Sequence, residues 1–186
     1  MPITHLTRNR ETYYLHSGVS KTGKTRYWFA QASDGDLVDA IPEGYEVYEN
    51  PESQVFLRKI VPQLITQIEV AAVQKGLERY APGQNCLVDV EKQYIVIYHA
   101  DHTKLDPHDL PSSLHPLSTF FHGYIKVMRF TLVDEIERTF QAERWCFRGS
   151  IDNWIDLHTS GSVGKLTDLV KKFSPHFGQE SFFELF

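Results

Sequence analysis

The chain has 186 residues, 41% hydrophobic and 23% charged, with a formal net charge of −5. That length can bury a substantial core without disulfides or metal, and the composition is that of an ordinary globular protein. The acidic balance argues against wholesale coating of nucleic acid, and no apolar run reaches the length of a membrane span.

The first 60 residues predict a small β-rich hairpin module. Tyr13–Ser17 and Arg26–Gln31 flank a Lys-Thr-Gly-Lys loop. Pro42-Glu43-Gly44 is a turn signal, and Tyr45–Glu49 then alternates. Asn50–Ser53 turns the chain, and Val55–Lys59 returns as the partner strand.

Residues 61–186 predict an α+β domain, which either stands apart or folds with the first module as one unit. A core helix is expected over about 62–80, with Pro62 in its first turn. Val61, Leu64, Ile65, Ile68, Ala71 and Ala72 would form its apolar stripe. Cys86–Val90 and Tyr94–Tyr98 read as a hairpin, and Ile95-Val96-Ile97 is the most strand-like run, expected at the centre of a sheet. Residues 99–119 form a connection rich in Pro, His, Asp and Ser, and a loop that long is usually functional or mobile.

Tyr124–Val133 and Thr139–Phe147 predict a further hairpin, with Tyr124, Lys126, Met128, Phe130 and Leu132 on one face. Trp154–Leu157 adds a short strand. A C-terminal helix is expected over about 163–173, capped by Ser162, with Val163, Leu166, Leu169, Val170 and Phe173 on one stripe. The aromatic tail from Phe177 to Phe186 should dock on the body or on a partner. Together these elements predict an α+β fold with a mainly antiparallel sheet built from hairpins.

Residues 18–25 match the G-x-x-x-x-G-K-[ST] phosphate-loop pattern. That loop works only between a buried strand and a helix whose N-terminal amides hold the phosphates. Here Thr12–Ser17 is not an aliphatic run. Arg26–Gln31 is β-prone and stops at Asp34-Gly35-Asp36, which leaves no room for a helix. The string therefore reads as a hairpin loop, with nucleotide binding as the lesser alternative.

The same hairpin is the leading binding feature. Lys21, Lys24 and Arg26 lie beside Tyr27 and Trp28, and cations next to aromatic faces suit phosphates and bases of a single strand. The plain alternative is a solvated turn, with Gly23 at positive φ and the aromatics as cross-strand partners. Residues 1–30 carry five basic side chains against Glu11, and residues 31–54 carry seven acidic ones with no Lys or Arg. These segments either attract each other or bind different things.

His99, Asp101, His102 and His108 sit in a loop with three imidazoles and three carboxylates in eleven residues. Nitrogen and oxygen donors of this kind could hold zinc, iron or manganese, although the spacing matches no established motif. A solvated polar loop is the plain reading. Asp101 could also pose as the acidic partner of a phosphate loop. Cys86 and Cys146 make neither a disulfide framework nor a zinc ribbon, and each reads as a small buried hydrophobe. Glu143 and Asp152 read as surface ion pairs with Arg144 and Arg148.

Ile41-Pro42-Glu43-Gly44-Tyr45-Glu46 and Arg144-Trp145-Cys146-Phe147-Arg148-Gly149-Ser150 resemble bacterial conserved hypothetical proteins of this size. That resemblance implies no activity, cofactor or site. The N-terminus has no apolar core of a signal peptide, so a cytoplasmic location is expected. The expected function is non-enzymatic binding of a protein or nucleic-acid partner, through the basic hairpin, the acidic segment 34–52 or the aromatic tail, without a membrane. The alternative is an enzyme with a metal-dependent site at 99–109.

Overall fold

The computed structural model of the chain describes residues 1–82, 84–101, 123–148, 151–157 and 161–185. The fold is α+β, with mostly antiparallel sheets and, among the described residues, two α-helices. It divides into two compact units, one built on Met1–Val61, the other on Pro62–Asp101 with Tyr124–Phe186.

In the first unit, β1 (Thr4–Leu6), β2 (Thr12–Val19) and β3 (Thr25–Ala30) form an antiparallel sheet in that order. A separate hairpin pairs β4 (Tyr45–Glu49) with β5 (Val55–Lys59). Its turn is held by Asn50, whose Oδ1 accepts the Gln54 N–H at 2.8 Å and whose Nδ2 donates to Gln54 Oε1 at 2.9 Å. Such side-chain bonds to nearby backbone are why Asn favours turns. Leu15 and Val55 are buried within this unit. Part of the basic N-terminal segment is neutralised by the acidic one. His5 Nε2 meets Glu49 Oε2 at 2.8 Å, and the Arg8 N–H donates to Glu49 Oε1 at 2.9 Å.

In the second unit, α1 spans Gln67–Tyr80, five residues later than the Pro62 start expected from sequence. Thr66 decides this. Its Oγ1 accepts the Glu69 N–H, and the Glu69 carboxylate accepts the Thr66 N–H at 2.8 Å. This reciprocal capping box satisfies two donors that an open helix end would leave bare. The expected stripe is corrected in part, since Ile65 is buried in the core but lies ahead of the helix. Ile68 is 82% exposed, and the buried face runs through Val73 and Leu77 with Val70 and Tyr80 beside it.

The sheet of this unit is ordered β10-β9-β8-β7-β6, from Cys86–Glu91 (β6), Tyr94–Asp101 (β7), Gly123–Asp134 (β8), Thr139–Arg148 (β9) and Ile151–Asp156 (β10). β7 is an interior strand rather than the middle one, and β8 holds the centre. Ile95, Val96 and Ile97 are all buried, so both faces of β7 are covered there. Met128, Phe130 and Leu132 of β8 enter the core, but Lys126 is exposed.

A short strand β11 (Val163–Lys165) pairs with β9, so the C-terminal helix α2 begins at Leu166 and ends at Phe173. The expected start at Val163 and cap at Ser162 are therefore corrected. Lys165 occupies the cap position without a side-chain bond, and Val163 is exposed. Leu166, Leu169, Val170 and Phe173 are buried, as the stripe required. α2 approaches α1 at Gly76, where a Cβ would stand 2.3 Å from Val170 Cγ1. Glycine weakens a helix interior, but here it lets the two backbones close.

The tail docks on its own body. Phe177, Phe182 and Leu185 join the core cluster, and Phe183 remains exposed. Among the described residues, no helix is long and apolar enough to cross a membrane.

Candidate functional site

Residues 18–25 lie in an antiparallel hairpin. Gly18 pairs with Arg26 and Val19 with Thr25, and β3 follows directly where a phosphate loop needs a helix. The tip bonds to itself. The Ser20 N–H donates to Lys24 O at 2.9 Å, and the Lys24 N–H returns to Ser20 Oγ at 3.1 Å. Gly23, at φ +79°, donates to Ser20 O at 2.9 Å. A phosphate loop aims such amides at its ligand, and here they close the turn.

The strand period sorts the side chains. His16, Gly18, Arg26 and Trp28 fall on one face, and Leu15 and Tyr27 on the other. Arg26 and Trp28 thus act together, and Tyr27 stands behind them. The Trp28 indole stacks on the His16 ring, with centroids 5.7 Å apart and an interplanar angle of 11°. His16 is itself fixed, its Nε2 lying 3.0 Å from Ala32 O. A Cβ on residue 18 would stand 3.0 Å from Trp28 Cη2, so the indole occupies space that only glycine leaves open. Even so, Trp28 keeps 45% of its surface in solvent. Gly18, Val19, Arg26 and Trp28 line a cleft of about 360 Å³.

Lys21, Lys24 and Arg26 are exposed, and among the described residues no carboxylate forms a salt bridge with them. Arg8 differs, because Glu49 holds it. The arrangement offers unneutralised cations at the tip and a half-open indole on one face. The roles of Gly18 and His16 in placing that indole were missed in the sequence. The signal was there, since residues two apart across a hairpin are diagonal neighbours once its register is known.

The expected metal donors come together only in part. His99 Nε2 lies 2.5 Å from Gln84 Oε1, a hydrogen bond that occupies that nitrogen. Asp101 is buried two residues further along β7. His102 and His108 lie outside the described residues. Among those described, no group of three His, Cys, Asp or Glu side chains converges.

Both thiols are free. Cys86 is half-buried, and burial pushes its thiol up to about 11, so it stays protonated and a poor nucleophile at neutral pH. Glu143 is not a surface ion pair. It is 8% exposed and receives both Arg129 Nε and Nη2 at 2.6 Å, with the Thr131 hydroxyl as a third donor. Arg129 in turn lies between the rings of Tyr94 and Trp154, 4.5 and 4.8 Å from their centroids. A carboxylate so fully bonded is a structural anchor. Arg144, expected beside it, is buried and reaches Phe182 O at 3.4 Å, which ties the tail down. Arg148 and Asp152 pair with Ile151 and Phe147 as strand neighbours.

No family model, curated protein or solved structure matches the chain.

Proposed function

We propose that this protein is a non-enzymatic binding module whose β2–β3 hairpin contacts single-stranded nucleic acid. The observation that supports this reading is the shared face of Arg26 and Trp28 beside the exposed Lys21 and Lys24. Single strands present phosphates and ring faces together. Base stacking on an aromatic side chain contributes about 1–3 kcal/mol per base. The cations supply attraction without sequence preference. A net charge of −5 suits a local contact better than a wrapped one, because the rest of the surface repels the strand. A cytoplasmic location is part of the same proposal.

The test is fluorescence anisotropy with a labelled oligothymidylate of about twenty nucleotides, long enough to span one small site. Trp28→Leu should weaken binding by about tenfold with an unchanged salt dependence, since it removes stacking and no charge. Equal binding by the wild type and Trp28→Leu would refute a stacking role. An anionic protein partner would show no oligonucleotide binding but would still need Lys21, Lys24 and Arg26.

A further inference from the structure

We infer that the second unit carries a separate docking site, in which an extended basic peptide adds a strand to the free edge of β6. This goes beyond the hairpin reading and uses none of its residues.

β6 is the terminal strand of the sheet and pairs only with β7 among the described residues. The Ala100 N–H donates to Asn85 O at 2.9 Å, which sets the phase of the ladder. Hydrogen-bonded pairs alternate along an antiparallel ladder. Leu87 and Asp89 therefore turn their backbone groups toward β7, and Cys86, Val88 and Val90 turn theirs outward. The Val90 N–H is already taken by Asp89 Oδ1 at 2.8 Å. Cys86 and Val88 are left, each with an outward N–H and C=O at strand spacing. That pattern is the template an added strand reads.

A cleft of about 630 Å³ lies along this edge, between β6 and α1. Leu77, Ala81 and Pro82 give it an apolar floor. Backbone pairing beside a helix-walled pocket for an alternate side chain is the geometry of strand addition. Charge then selects the occupant. Among the described residues, Glu78 is the one charged side chain lining the cleft, and it has no cationic partner there. The fitting partner is thus an extended peptide with an apolar side chain for the Leu77–Ala81 floor and a Lys or Arg close by for Glu78. Cys86, protonated and half-buried, serves as wall and not as reagent.

The experiment pans a random octapeptide phage library on the full-length chain, then measures the enriched peptides by anisotropy. Two variants decide the outcome. Val88→Pro removes an outward N–H that bonds nothing among the described residues, a position where an edge strand tolerates proline. Glu78→Lys reverses the charge on an exposed helix position and cannot perturb the core. The expected result is enrichment of apolar-plus-basic sequences, loss of affinity of about tenfold or more in Val88→Pro, and a switch toward acidic peptides in Glu78→Lys. No enrichment over bare support would overturn the inference, as would equal binding by Glu78→Lys. Concentration-dependent dimerisation abolished by Val88→Pro would overturn it too, making a second copy of the chain the occupant.

Discussion

The indole of Trp28 lies across Gly18, diagonal to it in the β2–β3 ladder, with its ring atoms 3.0 and 3.1 Å from where a Cβ would stand. A residue without a side chain and a residue with the largest one thus share a single site. The glycine that begins the phosphate-loop pattern makes room for an aromatic neighbour.

Gly18→Val should therefore displace Trp28 from the His16 ring. In a background with Trp145→Phe and Trp154→Phe, the remaining emission should shift to the red and be quenched more readily by acrylamide. Global stability should change by less than about 1 kcal/mol, because Trp28 is already half in solvent. Unchanged emission would mean that the indole does not rest on residue 18.

Glu69 carries a second linkage. Arg138 Nε reaches its Oε1 at 2.9 Å and Arg138 Nη2 its Oε2 at 2.5 Å, while the same carboxylate caps α1. Burial alone would push the Glu69 carboxyl up, but the bonds from Arg138 and Thr66 outweigh it and hold it below its ordinary 4.5. A depressed carboxyl stabilises the fold fully above the unfolded value and loses that contribution as pH falls through the folded one. Urea unfolding should thus show Glu69→Gln less stable than wild type by about 1–2 kcal/mol at pH 7. The gap should shrink as pH drops below 4.5. A gap independent of pH would contradict the assignment.

Gly76 and Val170 should behave as one unit. Alanine normally strengthens a helix by about 1 kcal/mol over glycine. Here Gly76→Ala should destabilise instead, by about 1–2 kcal/mol, because Val170 is buried and cannot retreat. Val170→Ala should make room. Gly76→Ala in that background should then be neutral or stabilising, and additive effects in thermal unfolding would contradict the contact.

The elements with strong local signals were legible in the sequence. The hairpins at Lys21–Lys24, Asn50–Ser53 and Lys92-Gln93 announce themselves by turn residues between β-prone runs. The starts of the two helices did not. Pro62 suits a first helical turn, but Thr66 followed three residues later by Glu69 is the more specific start signal. Val163 continues the helical stripe by spacing, but β9 claims it as a pairing partner, a tertiary effect that periodicity does not register. For the site, the residue types were readable, and strand alternation alone puts Tyr27 and Trp28 on opposite faces. Which residue of β2 lies against each depends on register, and the observed pairing of Gly18 with Arg26 sets Gly18 diagonal to Trp28. The partner of Glu143 was hidden similarly, because Arg129 lies on the neighbouring strand and not beside it in sequence.

The central claim is that Lys21, Lys24 and Arg26 contact phosphates of a single strand, and its most direct test is the salt dependence of oligothymidylate binding. Each phosphate contact on a single strand contributes about 0.7 to the slope of log affinity against log salt. The account predicts a slope near −2 for the wild type, and a slope near zero with little residual affinity for the variant carrying Lys21→Gln, Lys24→Gln and Arg26→Gln. That variant should melt at the wild-type temperature, since exposed charges contribute little to stability. No binding at low salt, or equal slopes for the two proteins, would contradict the account.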